Sequence, residues 1–351
     1  MSYTLNLDGT EEFKKLASLL GEEGAKLYTD LVKRMGPAQK ELAVFVKERR
    51  HDSLVLKVPE FFCLYENPKE VLAFIRSIST TVYFEKKYAV LDFSDCSDIT
   101  AAAALVLFAE VSRCRGDCPL SDSGKVIQLI RPKSKKVAAQ LKESSLLRVI
   151  QQGSQRRLQD INDDERVFFC TGNDPKEDTQ ALVDRLKKKL DVDVLPPNIA
   201  KAIGEGFLNV RYHAYKKGAT EFTRYRWWLY CYDSVHNGNK SVVFVLYDRG
   251  VGIPSLVEEH FDSVLTTEVA PKSHGLMIAK AFETKFSTDP ENNRGVGSRD
   301  ILSPIAKTDD LLLVLSDKGA VEFGGVNDFH QPDFWSGCYL KGTLLQWRLY
   351  V

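Results

Sequence analysis

The alternation of hydrophobic and polar positions divides the chain into three stretches. Over residues 10–50 apolar side chains recur at helical spacing, which predicts two helices separated by Gly36 and Pro37. Over residues 53–150 short apolar runs alternate with amphipathic segments, which predicts strands at 54–58, 88–93 and 125–130 and helices at 67–79, 100–114 and 134–150. Strand alternating with helix favours an α/β layered domain. The polar stretch 151–166 reads as a linker.

The second half begins with a strand-like run at 167–171 and an amphipathic helix ending near Leu190. Asn198 follows two prolines and predicts the N-cap of a long helix that reaches about Lys217. Two apolar strands joined by the turn sequence VHNGNK predict a hairpin, and three further strands close the chain. We therefore predict an α/β protein organised as helices at 1–50, one domain at 51–155 and a second at 165–351.

Composition narrows the class of protein. The 351 residues are 44% hydrophobic and 27% charged, which is typical of globular chains with more than one core. Lys plus Arg and Asp plus Glu both number 48, so no net charge favours nucleic acid or a membrane surface. The chain has no long apolar run and no signal-peptide pattern at its start, so we expect a cytoplasmic protein without a membrane segment.

Neither the cysteines nor the basic run predicts a metal site or a binding patch. The seven cysteines are scattered, and Cys114 with Cys118 forms a lone C-x3-C, so we predict free buried thiols rather than a metal centre. The basic run at 131–142 is interpreted as a solvated helix face.

The helix after Asn198 carries a polar stripe. Glu205, Asn209 and His213 lie at i, i+4 and i+8, beside the apolar positions that would form the core face. A carboxylate there could orient or deprotonate water, and an amide oxygen suits Mg²⁺. The alternative is that these three residues form a polar edge of the helix with no catalytic or binding function.

Asp248 ends an apolar strand in the segment YDRGVGIPS. A carboxylate at that position would be partly buried and would need a donor, such as the exocyclic amine of a purine. Gly250 and Gly252 leave bare backbone beside it, which a flat ring could approach. An ordinary strand-to-loop turn is the alternative.

Two more segments contain glycine at suggestive places. In NNRGVGSRDI, Gly295 and Gly297 precede a predicted helix, and Arg294 and Arg299 could pair with phosphate. In KGTLLQWRLYV, Thr343 opens the last strand and could hydrogen-bond a carboxylate or a phosphate. Each segment alone is also compatible with a simple loop.

The order and spacing of these four motifs resemble the GHKL ATPases, the superfamily of gyrase, ninety-kilodalton chaperones and histidine kinases. The resemblance covers about 165–351 and implies a GHKL (Bergerat) ATP-binding α/β sandwich. It implies ATP and Mg²⁺ as cofactors and a lid over about 255–294. By that resemblance, Glu205 is the general base, Asn209 the Mg²⁺ ligand and Asp248 the adenine acceptor. The other residues implied at the nucleotide site are Gly250, Gly252, Gly295, Gly297, Thr343, His213 and Arg294.

The sequence departs from the family pattern in its phosphate motif and at its end. Only two glycines precede Ser298 and Arg299, and the chain stops at Val351. We therefore expect the lysine that some members place against the γ-phosphate either to be missing or to come from elsewhere. His51 lies far upstream and is not expected to accept phosphate.

The segment YAVLDFSDCSDITAAAALVLFAEVSR resembles the central strand, loop and helix of a STAS domain. In that family a serine at the helix start accepts phosphate from a GHKL kinase, whereas Thr100, Ala101 and Ala102 stand here. We interpret Thr100 as a helix cap. A STAS-like domain at 51–155 joined to a GHKL domain implies a fused regulatory module.

Three functions stay open. The first is an ATP- and Mg²⁺-binding switch or slow ATPase that acts on a protein partner or on a second copy through its N-terminal half. The second is a serine/threonine protein kinase of the anti-sigma-factor type, with a separate substrate. The third is a scaffold with a vestigial ATP site.

Overall fold

A computed structural model shows a mixed α/β protein, as predicted. It describes residues 52–117, 126–143, 146–151, 164, 169–173, 175–190, 192–215, 219–236, 238–263, 273–283, 297–324 and 329–350. The predicted helices at 1–50 lie outside this described part of the chain, as does almost all of the predicted linker.

The first half folds as alternating strands and helices. Its elements are β1 (Ser53–Lys57), β2 (Phe61–Phe62), α1 (Pro68–Ser79), β3 (Tyr88–Asp92), β4 (Asp98–Ile99), α2 (Ala101–Gly116), β5 (Ile127–Ile130), α3 (Lys135–Glu143) and α4 (Leu146–Gln151). β1, β3 and β5 form a parallel sheet in that order, and β2 pairs with β4. Every strand predicted in this half is present within two residues of its predicted bounds.

The second half contains an antiparallel sheet and the helices that pack on it. Its elements are β6 (Phe169–Gly172), α5 (Pro175–Leu190), α6 (Ile199–Asn209), β7 (Trp227–His236), β8 (Asn239–Asp248), α7 (Ile253–Ser263), α8 (His274–Glu283), α9 (Gly297–Leu302), β9 (Leu311–Asp317), β10 (Gly319–Gly324), β11 (Phe329–His330) and β12 (Leu340–Tyr350). The sheet order is β11-β10-β9-β12-β8-β7-β6, so the last strand lies near the middle of the sheet.

Both faces of this sheet are buried. Successive residues of β7 and β8 alternate between two hydrophobic clusters, as the two-residue repeat of a strand requires. One cluster contains Phe244 and Leu246 with the helices of the second half, and the other contains Val245 and Tyr247 with helices of the first half. The apolar run of β8 therefore reflects burial on two sides.

Helix α2 separates the two sheets. Thirteen of its sixteen residues are buried, and its apolar positions show almost no preference for one face, as expected of a helix covered all round. The indole Nε1 of Trp228 on β7 donates to Ser112 Oγ of α2 at 2.9 Å. The predicted ranges 51–155 and 165–351 thus share one buried cluster through this helix.

Two predicted caps differ from the structure. Asn198 precedes α6, but its φ of 63° places it in the left-handed region and its amide donates to Ser303 O instead. Thr100 precedes α2, but its hydroxyl makes no capping bond and is buried without a hydrogen-bond partner among the described residues. α6 also ends earlier than predicted, at Asn209, and continues as a π-helical turn over Val210–Ala214.

The six described cysteines are free and buried, as predicted, and include Cys114. Lys133 and Lys136 of the basic run are exposed and pair with Asp95 and Asp98, so the run is a solvated face over these positions. No helix in the described ranges is long and apolar enough to cross a bilayer.

Candidate functional site

The carboxyl group of Asp248 lies at the buried end of β8. Only 8% of the residue is exposed, and its Oδ1 accepts a hydrogen bond from Gly250 N at 2.7 Å. Desolvation raises the pKa of Asp248 to about 7, against the opposing effect of the backbone N–H groups of Gly250 and Thr343. The donors to this carboxyl group are therefore backbone amides.

A hydroxyl pair lies behind Asp248 on the adjoining strands. Thr343 of β12 is opposite both Asp248 on β8 and Ser316 on β9. Ser316 Oγ donates to Gly342 O at 3.0 Å, so the Thr343 hydroxyl is the donor in its 3.0 Å contact with Ser316 Oγ. Ser316 Oγ also accepts from Ile253 N at 2.9 Å, which ties the start of α7 to the sheet. Ser316 was not predicted, although it ends the apolar run LLLVLS as Asp248 ends its own.

Glycines allow the chain to pass close to this strand end. Gly342 lies at a register shift of β12 with φ +93°, and a Cβ there would be 2.0 Å from Asp248 O. Gly252 has φ +84°, as the sequence suggested. Gly250 is required for a different reason, because a Cβ at this position would lie 2.3 Å from Ala214 O.

The stripe predicted on α6 borders the same space. Glu205, Asn209 and His213 all line one cavity of about 370 Å³ together with Asp248, Gly252 and Thr343. Glu205 and Asn209 lie on α6 itself, whereas His213 lies on the π-helical turn that follows it. The structure therefore brings six of the predicted site residues together around one cavity.

Most of the cavity wall is apolar and was not predicted. Leu246 and Leu345 come from the sheet, Ile253 and Val257 from α7, Phe282 from α8 and Ile301 from α9. A cavity of this size with an apolar wall and a few polar groups is typical of a small-molecule site. These residues carry no chemical signal in the sequence, since apolar side chains in helices and strands are also what any core requires.

The predicted phosphate side is only partly described. Gly295 and Arg294 lie outside the described residues, as does His51. Gly297 begins α9, the adjacent Ser298 lines the cavity, and Arg299 is exposed. α9 is held against α6 by the ion pair of Asp300 with Lys201 at 2.8 Å.

The described part of the predicted lid is helical. α7 and α8 fall within it, and α8 buries Met277, Ile278 and Ala279. Phe282 of α8 reaches the cavity. These parts of the segment therefore contribute to the core and to the wall of the site.

No three His, Cys, Asp or Glu side chains within the described ranges cluster as a metal site would require. Mg²⁺ usually takes one or two protein ligands and completes its shell with substrate phosphates and water. Asn209, which lines the cavity, is therefore a reasonable Mg²⁺ ligand only when a phosphate-bearing ligand is also present.

Comparison with known proteins adds no evidence on what the cavity binds, so its interpretation rests on the geometry described above. No family model matches the chain, and no curated protein matches it either.

Proposed function

We propose that this protein binds ATP with Mg²⁺ in the cavity beside Asp248 and acts as a nucleotide-dependent switch or slow ATPase of the GHKL type. The observation that carries the proposal is the buried carboxyl group of Asp248 at the wall of an apolar cavity, where desolvation raises its pKa to about 7. A buried carboxylate calls for a ligand that brings a hydrogen-bond donor.

Adenine supplies that donor. Its exocyclic amine would donate to Asp248, while its flat ring would lie between Leu246, Leu345 and the backbone at Gly252. Guanine presents an oxygen acceptor where adenine has the amine. It would therefore leave two acceptors facing each other when Asp248 is ionised, which a buried site penalises strongly.

The rim of the cavity suits the triphosphate and its metal. Asn209 would offer its amide oxygen to Mg²⁺, and Glu205 would orient or deprotonate the attacking water. His213 lies one turn further along the same rim. The assignment of Gly295, Gly297 and Arg294 to the phosphates stays a prediction from the sequence.

Slow turnover is the expected regime. No lysine or arginine is present among the described residues that line the cavity. A cation on the transferred phosphoryl group is worth about 10³–10⁵ in rate in phosphoryl-transfer enzymes. We accordingly propose a cytoplasmic regulatory protein that acts on a partner mainly through binding and conformational change, with Arg294 as the predicted cation at the phosphates.

Calorimetric titration tests the binding. The full chain should bind a non-hydrolysable ATP analogue more tightly with Mg²⁺ than without it, and should bind the matching GTP analogue at least tenfold more weakly. Asp248→Asn should lose most of the ATP affinity, whereas Asp233→Asn, an exposed residue on β7, should bind like the wild type. Equal affinity for the two analogues, or an unaffected Asp248→Asn variant, would overturn the assignment of the base pocket.

A second measurement addresses the fate of the phosphate. We expect Glu205→Ala to keep ATP affinity and to lose phosphate release by at least a hundredfold, as loss of a general base implies. Label from γ-labelled ATP on a separate STAS protein, rather than free phosphate, would favour the protein kinase. Transfer to Thr100 of the same chain is not expected, because its hydroxyl is buried.

A further inference from the structure

The turn from Asp248 to Gly250 is held by hydrogen bonds on the side of α6. Val251 N donates to Ala214 O at 2.8 Å, at the end of the π-helical turn. Arg249 N donates to Tyr215 Oη at 3.1 Å, and this hydroxyl in turn donates to Arg226 O at 2.7 Å. The backbone of the turn is therefore positioned from the cavity side by residues that directly follow α6.

The side chain of Arg249 reaches the opposite side of the sheet and contacts α2. Its Nη1 forms an ion pair with Glu110 Oε2 of that helix. Glu110 is completely buried, and its Oε1 also accepts from Arg113 Nη2 at 2.6 Å and from Ser79 Oγ at 2.5 Å. Glu110 was not predicted to have a role, although it is the lone acid in the apolar sequence of α2.

This network stays charged within the core. Desolvation raises the pKa of Glu110, but the guanidinium groups of Arg249 and Arg113 outweigh it and hold that pKa at about 2. Separating the pair would leave a buried charge without its partner, which is strongly unfavourable. α2 and the turn at Arg249 are therefore expected to move together or to stay together.

Arg249 lies between the two groups that make the base pocket. Asp248 on one side of it carries the acceptor, and Gly250 on the other donates to that acceptor at 2.7 Å. Any shift of the Arg249 backbone changes both groups at once. The ion pair thus links a helix on one face of the sheet to a cavity on the other.

We infer that Glu110 and Arg249 are positioning residues through which helix α2 sets the nucleotide affinity of the Asp248 pocket. This inference rests on the proposed nucleotide binding and identifies how that site is regulated. Because coupling between two sites is reciprocal, nucleotide binding must in turn tighten the packing of α2. The N-terminal α/β unit would then sense the occupancy of the pocket without touching the nucleotide.

The test combines two variants with an exchange measurement. Glu110→Gln alone leaves two buried guanidinium groups without their acid, so the main variant is Glu110→Gln/Arg249→Met. It removes the charges of the linking pair together and leaves Arg113 its hydrogen bond to Ser79 Oγ at 2.8 Å. Ser112→Ala is the matched control, because it breaks a different hydrogen bond between α2 and the sheet, the one to Trp228. Each full-length protein is titrated with a non-hydrolysable ATP analogue and Mg²⁺.

We expect the double variant to bind about tenfold more weakly, within the ~5–150-fold range of typical couplings, and Ser112→Ala to stay within about twofold of wild type. Hydrogen exchange of the wild type should show that the analogue slows the amides of α2 around Glu110. The same protection should be absent in the double variant and present in Ser112→Ala.

The outcomes separate this inference from the proposed function. If the wild type binds the analogue but α2 exchanges at an unchanged rate, the ion pair is only structural and the inference is overturned. An unchanged affinity of the double variant would overturn it as well. If the wild type fails to bind any adenine nucleotide, the proposed function fails and the inference fails with it.

Discussion

Asp248 shows how a residue can be unfavourable for folding and useful for binding. Its carboxyl group is buried at the end of β8, and desolvation raises its pKa to about 7 against the opposing effect of the backbone N–H groups of Gly250 and Thr343. Near pH 7 the carboxyl group is therefore ionised in about half of the molecules, where it only accepts hydrogen bonds, and protonated in the rest, where it can also donate one. A ligand amine selects the ionised form, so binding and proton release should be linked.

Nucleotide affinity should therefore depend on pH. Between pH 8 and pH 6 the ligand-free carboxyl group becomes protonated, and the affinity for adenosine should fall by about tenfold, following a pKa near 7. Adenosine is the informative probe because it carries no titrating phosphate. Calorimetry over this range checks the trend, and a constant affinity would show that Asp248 does not accept from the base.

The same carboxyl group should influence stability in a defined direction. Its pKa is about 7 in the folded state against 3.8 for the reference group, so between these values the folded state holds a proton that the unfolded state has lost. Stability is thus lost as pH rises through this window. Asp248→Asn removes the penalty, and its gain over wild type should be about 3 kcal/mol larger at pH 8 than at pH 5. Urea unfolding at both pH values measures this, and an equal gain at the two would contradict the assigned shift.

Gly250 and Gly238 provide a matched pair of glycines. A Cβ at Gly250 would meet Ala214 O at 2.3 Å, whereas a Cβ at Gly238 in the hairpin turn would meet nothing within 4 Å. We expect Gly250→Ala to cost at least about 2 kcal/mol and to abolish nucleotide binding. Gly238→Ala, with φ +80°, should cost about 1 kcal/mol and leave binding unchanged. Denaturation and titration of both variants test this, and equal effects would argue against close packing at Gly250.

Among the elements, α2 and β8 depart most from ordinary amphipathic patterns. α2 is buried all round because a sheet lies on each side of it. β8 is buried on both faces because helices of the first half cover one face and helices of the second half cover the other. Their packing is held by large side chains, including Phe108 of α2, whose ring meets that of Phe169 on β6 edge to face at 5.1 Å. The junction between the two halves is therefore part of the core.

A buried and an exposed phenylalanine allow the contribution of this junction to stability to be measured. Phe108 is fully buried, whereas Phe84, in the π-helical turn after α1, is 81% exposed. Phe108→Ala should destabilise the protein by about 3–5 kcal/mol, because it leaves a cavity between helix and sheet. Phe84→Ala should change stability by less than about 0.5 kcal/mol. Urea denaturation checks both, and a small effect at Phe108 would mean that the two halves pack loosely.

In the molecule as a whole, the antiparallel sheet acts as a shared wall between two cores. The face that carries Trp228, Tyr230 and Val245 is covered by the first half, and the opposite face by α5 to α9. The range 165–351 has the length of a domain, but one face of its sheet is buried only because the first half covers it. The two halves are thus expected to fold as one cooperative unit.

Excision of the second half tests this expectation. A fragment of residues 165–351 would expose a large apolar sheet face to water, so it should aggregate or bind a hydrophobic dye, whereas the full chain should not. Size-exclusion chromatography with dye binding separates the outcomes. A monomeric, cooperatively unfolding fragment would show that the interface with α2 is dispensable.

Local pattern was sufficient for most elements and for part of the site. The hairpin of β7 and β8, the strand bounds of the first half and the polar stripe of Glu205, Asn209 and His213 were predicted from local pattern. The place of Asp248 beside that stripe was implied only by the family resemblance. The caps failed because an N-cap residue alone does not decide which backbone conformation the incoming chain adopts, as at Asn198. The cavity wall was missed because a leucine that lines a pocket has the same local pattern as one that fills a core.

Local sequence encodes the alternation of strands and helices and the spacing that places polar groups on one edge of α6, because both depend on contacts within a few residues. Long-range packing places β12 beside Asp248, Ser316 against Thr343 and α2 between two sheets. It also pairs Glu110 with Arg249, which are 139 residues apart. Burial, and with it the charge state of Asp248, arises only when distant segments exclude water together, and no local pattern records that.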